Sequence, residues 1–170
     1  MLRLRPYEPS DAQTIIPWIG DEAAFRKWCA DRYDSYPITA EDMNDNYKKC
    51  AESGGFFPMT AVDDSGIVGH LIMRFTDDEK TVIRFGFVIL DDKMRGKGHG
   101  GDMLREAIGY AFEKLNAKKI TLGVFDNNEA AYRCYRSVGF TDTTGKTEYY
   151  HIFDEDWKCI EMELNRKCSE

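Results

Sequence analysis

The sequence predicts a single α+β (α/β) domain, a mixed central β-sheet of about six to seven strands flanked by helices. Three observations carry this. The chain has 170 residues, 42% hydrophobic and 31% charged, a size and balance suited to one domain around one buried core. Three apolar runs follow one another from Phe56 to Leu90 with only short polar turns between them, the pattern of an antiparallel meander. A strand, helix, strand crossover then leads from Thr81 to Phe125 and requires a parallel pair, so both pairings share one sheet.

The elements follow in order. Leu2 to Arg5 alternates apolar and charged residues, the period of an edge strand, before Pro6 interrupts it. Ser10 and Asp11 are N-cap residue types ahead of Ile15, Ile16 and Ile19, and Asp21 precedes a helix whose Phe25, Trp28 and Cys29 share a face. Tyr33 to Pro37 breaks the pattern. Thr39, followed three positions later by Asp42, opens a third helix to about Ser53, stopped by Gly54 and Gly55. Phe56–Val62, Ile67–Phe75 and Thr81–Leu90 form the meander, and the third run is apolar enough for a central strand buried on both faces. Leu104, Ala107, Ile108, Ala111, Phe112 and Leu115 then recur at helical spacing, ahead of a strand from Ile120 to Phe125. Ala131, Tyr135 and Val138 mark a last helix, ended by Gly139. Two β-like stretches, near Lys146–Phe153 and Cys159–Leu164, are joined by Asp154-Glu155-Asp156 as a turn.

Composition excludes several functions. A net charge of −7 lacks the basic signature of a domain held on nucleic acid by phosphate neutralisation. No long apolar run suggests a membrane span, and Arg3, Arg5, Glu8 and Asp11 occupy the place of a signal-peptide core, so a cytosolic protein is expected. Five cysteines without C-x-x-C spacing read as reduced thiols, and His70, His99 and His151 show no metal-ligand spacing.

The most informative segment is Arg95-Gly96-Lys97-Gly98-His99-Gly100-Gly101, between a core strand and an amphipathic helix. Glycines let the backbone approach a ligand, and the free N–H groups and dipole of a helix start attract a phosphate or pyrophosphate. A Walker loop is excluded, because Gly-Lys-Ser/Thr is absent. A dinucleotide fingerprint matches Gly96-x-Gly98-x-x-Gly101 with Asp126 beyond the next strand, which would make this an NAD-binding domain. However, Asp91 to Arg95 separate the strand from the first glycine, and too few residues follow for a second half.

Arg95-x-x-Gly98-x-Gly100, followed by helix, strand and Asn128-x-x-Ala131-x-x-x-Tyr135-x-x-x-Gly139-Phe140, resembles the GNAT superfamily of acetyl-coenzyme A dependent N-acetyltransferases. The resemblance is strongest from Val82 to Phe140. It implies that the backbone from Arg95 through Gly96, Lys97, Gly98, His99 and Gly100 to Gly101 cradles the coenzyme A pyrophosphate. It further implies that Phe87, Val88 and Ile89 pair with the pantetheine arm where the next strand splays away. Asn128 would hydrogen-bond that arm, Ala131 and Tyr132 would line it, and Tyr135 would protonate the departing thiolate.

The general base departs from the family pattern. Where several members place a carboxylate on the central strand, this chain has Arg84, which cannot accept a proton. His70, Glu148 and His151 are the other candidates, alongside water or a backbone carbonyl. Arg84 joins Trp28, Tyr33 and Tyr36, with Arg32 nearby, as expected acceptor-side residues. Overall acidity would steer a cationic amine such as a polyamine, an aminoglycoside or a protein N-terminus. The acceptor class expected is a small-molecule amine or protein N-terminus, the working unit a monomer or homodimer. The alternative function is a non-catalytic coenzyme A-binding or interaction module on the same fold.

Overall fold

Residues 1–145 and 147–168 are described by the computed structural model. The strands are β1 (Arg3–Pro6), β2 (Phe56–Asp63), β3 (Gly66–Phe75), β4 (Val82–Leu90), β5 (Lys119–Phe125), β6 (Thr141–Asp142), β7 (Glu148–Ile152) and β8 (Glu155–Asn165). They form one sheet in the order β1-β2-β3-β4-β5-β8-β6, with β7 also on β8. The predicted meander pairs antiparallel from β1 to β4, and β4 pairs parallel with β5 across the predicted crossover. The short β6, which had no pattern to announce it, brings the sheet to eight strands.

Alternate residues of β3 separate the interior into two cores. Leu71 and Met73 face α4 (His99–Gly109) and α5 (Glu129–Ser137), packing with Met103, Leu104 and Tyr135. Ile72, between them in sequence, faces the opposite way into α1 (Ala12–Ile15), α2 (Glu22–Cys29) and α3 (Ala40–Glu52), against Phe25, Met43 and Tyr47. Burying each such side chain contributes about 1.5–3 kcal/mol, which makes the two faces the main stabilising layers.

Local signals account for most boundaries. The Thr39 hydroxyl accepts from the Asp42 N–H (3.1 Å) and the Asp42 carboxylate from the Thr39 N–H (2.8 Å), a reciprocal cap for α3. The first helical stretch is shorter than predicted: α1 gives way to a 3₁₀ turn at Ile16–Trp18, where Pro17 cannot supply an N–H. In front of α1, Asp11 is 2% exposed and bonded bidentately by Arg5, at 2.8 Å to each oxygen. It also accepts from the Glu8 N–H and the Thr60 hydroxyl. Burial pushes the Asp11 carboxyl up, but these bonds outweigh it and hold the carboxyl below its usual value.

Three expectations change. Strand β4 is central but not buried on both faces: Ile83, Phe85 and Ile89 are buried, whereas Arg84, Gly86, Phe87 and Val88 are half-buried. The cause is the sheet itself, which opens beside β4. The turn between β7 and β8 is Phe153-Asp154, both with positive φ, and Glu155 already pairs with Ile152. Two left-handed residues give the tight hairpin that matches strand twist, so Glu155 and Asp156 belong to β8. The expected β-stretch from Lys146 begins at Glu148 among the described residues, and Lys146 itself lies outside them. Finally, α4 ends in a π-helical turn, Tyr110–Lys114.

Candidate active site

Pairing between β4 and β5 is confined to Val82–Arg84 against Lys119–Thr121. Beyond Arg84 the strands part, leaving the β5-facing edge of β4 without a strand partner. A bulge lies within this open stretch. His70 pairs with Ile89 but Ile72 with Gly86, so β4 carries one extra residue, and Phe87 takes a left-handed φ of 49°. Phe87 and Ile89 consequently pack with the α1–α3 core and Val88 with the α4–α5 core. The resemblance implied that the next strand splays away beside these three residues, and the pairing does end before them, but nothing in the sequence signalled the bulge.

The loop after β4 leads into an uncapped helix. Gly96 (φ 74°) and Gly98 (φ 85°) are left-handed, and a Cβ at either would meet nothing within 4 Å. Gly98 is the N-cap residue of α4, with no side-chain cap, and the Asp102 N–H to the Gly98 carbonyl (3.2 Å) is the first bond of the helix. The N–H groups of His99, Gly100 and Gly101 therefore have no helical acceptor and can receive an anion. Gly100 has another reason to be glycine, since a Cβ there would lie 3.2 Å from Cys134 Sγ and 3.3 Å from Leu90 Cδ1. Lys97 is exposed. The Arg95 guanidinium is turned inward, donating to the Trp18 and Leu90 carbonyls at 3.0 and 3.1 Å, so this side chain pins the loop and leaves its backbone for a ligand.

Across the gap, Asn128 caps α5 through its Oδ1, accepting from the Ala131 N–H at 3.4 Å, and its amide NH₂ makes no bond among the described residues. Ala131 and Tyr132 are half-buried, and the Tyr132 hydroxyl donates to Asp142 at 2.9 Å. Tyr135 is buried against Phe140, with ring centroids 6.1 Å apart, in the same core that Val88 joins. Burial pushes its phenol further up, so the hydroxyl stays protonated at neutral pH.

On the opposite face, a cavity of about 160 Å³ is lined by both parting strands, including Gly86 and Phe87 of β4 and Gly123 and Phe125 of β5. Trp28 and Arg84 line it, as expected for acceptor-side residues. Tyr33 and Tyr36 do not. They stand behind Trp28, with Tyr33 stacked on it (7° between planes) and both packed on Phe25. Among the lining residues that sequence reasoning did not assign are Lys27, Arg74 and Tyr150. Charged Arg74, interrupting an otherwise apolar strand, was the available signal. Arg84 donates to both oxygens of Glu161, with Nη2 to Oε2 at 3.1 Å. It reaches them across Gly123, where a Cβ would lie 2.9 Å from Arg84 Nη2.

None of the three candidate bases lines the cavity. His70 is fully buried on β3, its Nε2 2.7 Å from the Tyr47 hydroxyl, and burial pushes its imidazole down to about 4. Glu148 and His151 are exposed on β7, and His151 Nδ1 lies 3.0 Å from Asp156.

The half-split sheet, the glycine-rich start of α4 and the buried Tyr135 thus lie around one opening between β4 and β5. A family model of the acetyltransferase (GNAT) domain matches residues 1–141, and the chain belongs to that family, whose acetyl donor is acetyl-coenzyme A. Spermidine N(1)-acetyltransferase of Escherichia coli (strain K12) is 24% identical over 141 residues, 82% of this chain and 73% of its own. L-amino acid N-acetyltransferase AaaT of the same organism is 28% identical over 102 residues, 58% and 62% of the two chains. The crystal structure of spermidine N-acetyltransferase from Vibrio cholerae in complex with CoA and spermine shares the fold. Its TM-score is 0.81 at 20% identity, covering 96% of this chain and 95% of that one.

Proposed function

We propose that the protein moves the acetyl group of acetyl-coenzyme A to a primary amine of a small molecule or protein N-terminus, by direct attack in a ternary complex. The observation that carries this reading is the parted β4–β5 pair: one gap faces the glycine loop and Tyr135 on one side and a separate cavity on the other.

The residues fit the donor. Open space over Gly96 and Gly98 and the free N–H groups of His99, Gly100 and Gly101 would hold its pyrophosphate. The unpaired edge of β4 at Phe87–Ile89 and the Asn128 amide would hold its arm, with Ala131 and Tyr132 beside it. Bound there, acetyl-coenzyme A supplies an activated thioester. A β4 backbone N–H near Val88 polarises the carbonyl as its oxygen gains charge. With the donor in place the acceptor nitrogen would form the new C–N bond as the thioester C–S bond breaks, and Tyr135 Oη would give its proton to the departing sulfur. The proton lost from the amine passes to water, with a backbone carbonyl able to hold the N–H in place, since among the described residues the cavity lining includes no carboxylate. The working unit is a monomer or homodimer.

The test combines acetyl-coenzyme A with an amine panel and measures released thiol. Tyr135→Phe is expected to slow release about a hundredfold or more, much more than it weakens coenzyme A binding. Equal turnover by that variant removes Tyr135 from the mechanism. Coenzyme A binding with no thiol release for any amine would instead favour the non-catalytic module. Thermal stabilisation by NAD but not by coenzyme A would overturn both.

A further inference from the structure

Two arginines stand directly opposite each other on β3 and β4: Arg74 pairs with Arg84 in the strand register. Like charges at facing positions of an antiparallel pair destabilise a sheet, and half-burial sharpens the cost. Arg84 is compensated by Glu161. Arg74 is half-buried and makes no side-chain hydrogen bond or ion pair among the described residues, and its charged neighbours are again cations, Arg32 and Arg84. Both arginines line the cavity, as do Lys27 and Arg32, and among the described residues no aspartate or glutamate does. Near its rim, Glu148 and Asp31 are exposed, and Glu161 is committed to Arg84.

We propose that Arg74 and Arg84 form an anion subsite, and that the acceptor is therefore an amine carrying its own carboxylate or phosphate group. The assignment rests on the cavity being the acceptor pocket. The unengaged Arg74 guanidinium offers a two-pronged donor set that matches either anion, while Arg84, whose own prongs are held by Glu161, faces it across the strand pair and adds its charge; a bound anion offsets the repulsion between the two. The reading runs against the whole-chain charge of −7 and against a polyamine, whose ammonium groups would meet four cationic side chains here. Long-range steering and local recognition are separate effects, and within a few ångströms the local groups decide.

The experiment measures binding apart from turnover. N-acetylglycine resembles a carboxylated product and needs no reaction, and N-acetylglycinamide is its neutral counterpart. Calorimetric titration should show the acid binding about tenfold or more tightly than the amide. Arg74→Met should abolish that difference and Arg74→Lys should keep part of it, each judged folded by its thermal unfolding. In turnover, glycine should exceed glycinamide and phosphoethanolamine exceed ethanolamine in kcat/KM, the larger ratio identifying carboxylate or phosphate as the anion. Equal binding of acid and amide, an unchanged ratio in Arg74→Met, or spermidine used in preference to every anionic amine would overturn the subsite. Absence of thiol release with any amine would refute the catalytic reading alone, because the titration reports the subsite independently.

Discussion

Acid should destabilise this protein well before its carboxylates protonate, and His70 is the reason. It lies between Tyr7 and Tyr47, with ring centroids 5.4 and 5.7 Å away, and is fully buried. Burial pushes its imidazole from 6.5 down to about 4, with the nearby Met59 backbone and Asp11 opposing only in part. The unfolded chain therefore binds this proton from pH 6.5 downward, whereas the folded chain refuses it until about pH 4. Stability is complete above pH 6.5 and falls as pH drops through this window. Each pH unit withdraws about 1.36 kcal/mol, so a move from pH 6.5 to pH 5 costs about 2 kcal/mol. For a chain of this size that lowers Tm by roughly 4–8 °C. Asp11 adds its own loss only below its ordinary 3.8, because its carboxyl is held lower still. Urea denaturation at several pH values, for the wild type and His70→Gln, measures the effect, and the difference between their slopes isolates His70. Identical slopes, or a histidine resonance assigned to His70 titrating near 6.5 in the folded protein, would refute the reasoning.

Two further predictions concern the frame of the site. Asp11→Asn removes one partner of a pair whose carboxylate is 2% exposed. It should cost about 3 kcal/mol, near the low end for a buried pair because Arg5 keeps access to water, as read from denaturant midpoints. Gly98→Ala places a side chain on a backbone with φ of 85°, in otherwise empty space. It should lose about 1–2 kcal/mol of stability and weaken coenzyme A binding in calorimetry; unchanged affinity would detach the loop from the cofactor.

Much of the geometry around the glycine loop and α5 was legible because glycine, asparagine and helix-start chemistry act locally. The spacing from Arg95 to Tyr135 depends on a helix and a strand of ordinary length, and both occur where the apolar periodicity places them. The acceptor side was far less legible. The opposition of Arg74 and Arg84 depends on strand register, which no local pattern specifies. Glu161, the partner of Arg84, lies 77 positions away in sequence. The bulge at Phe87 places a large aromatic residue where φ is positive, a choice local propensity argues against and the surrounding packing imposes. Tyr33 and Tyr36 were read as pocket residues because aromatic and basic residues cluster there in sequence. In the fold they stack behind the wall that Trp28 presents.

The parting of β4 from β5 also bears on how the molecule comes undone. Three paired positions join the meander to the C-terminal strands, while each half-sheet has long ladders of its own. Such a junction joins two half-sheet units by few backbone bonds, and the core beneath α4 and α5, which takes residues from both, supplies the rest of the connection. A molecule lying in the gap bridges both units and supplies backbone pairing that the chain lacks there. Were the donor to bind there as proposed, amide hydrogens along the seam should slow their exchange most on its addition, while those deep in either half change little.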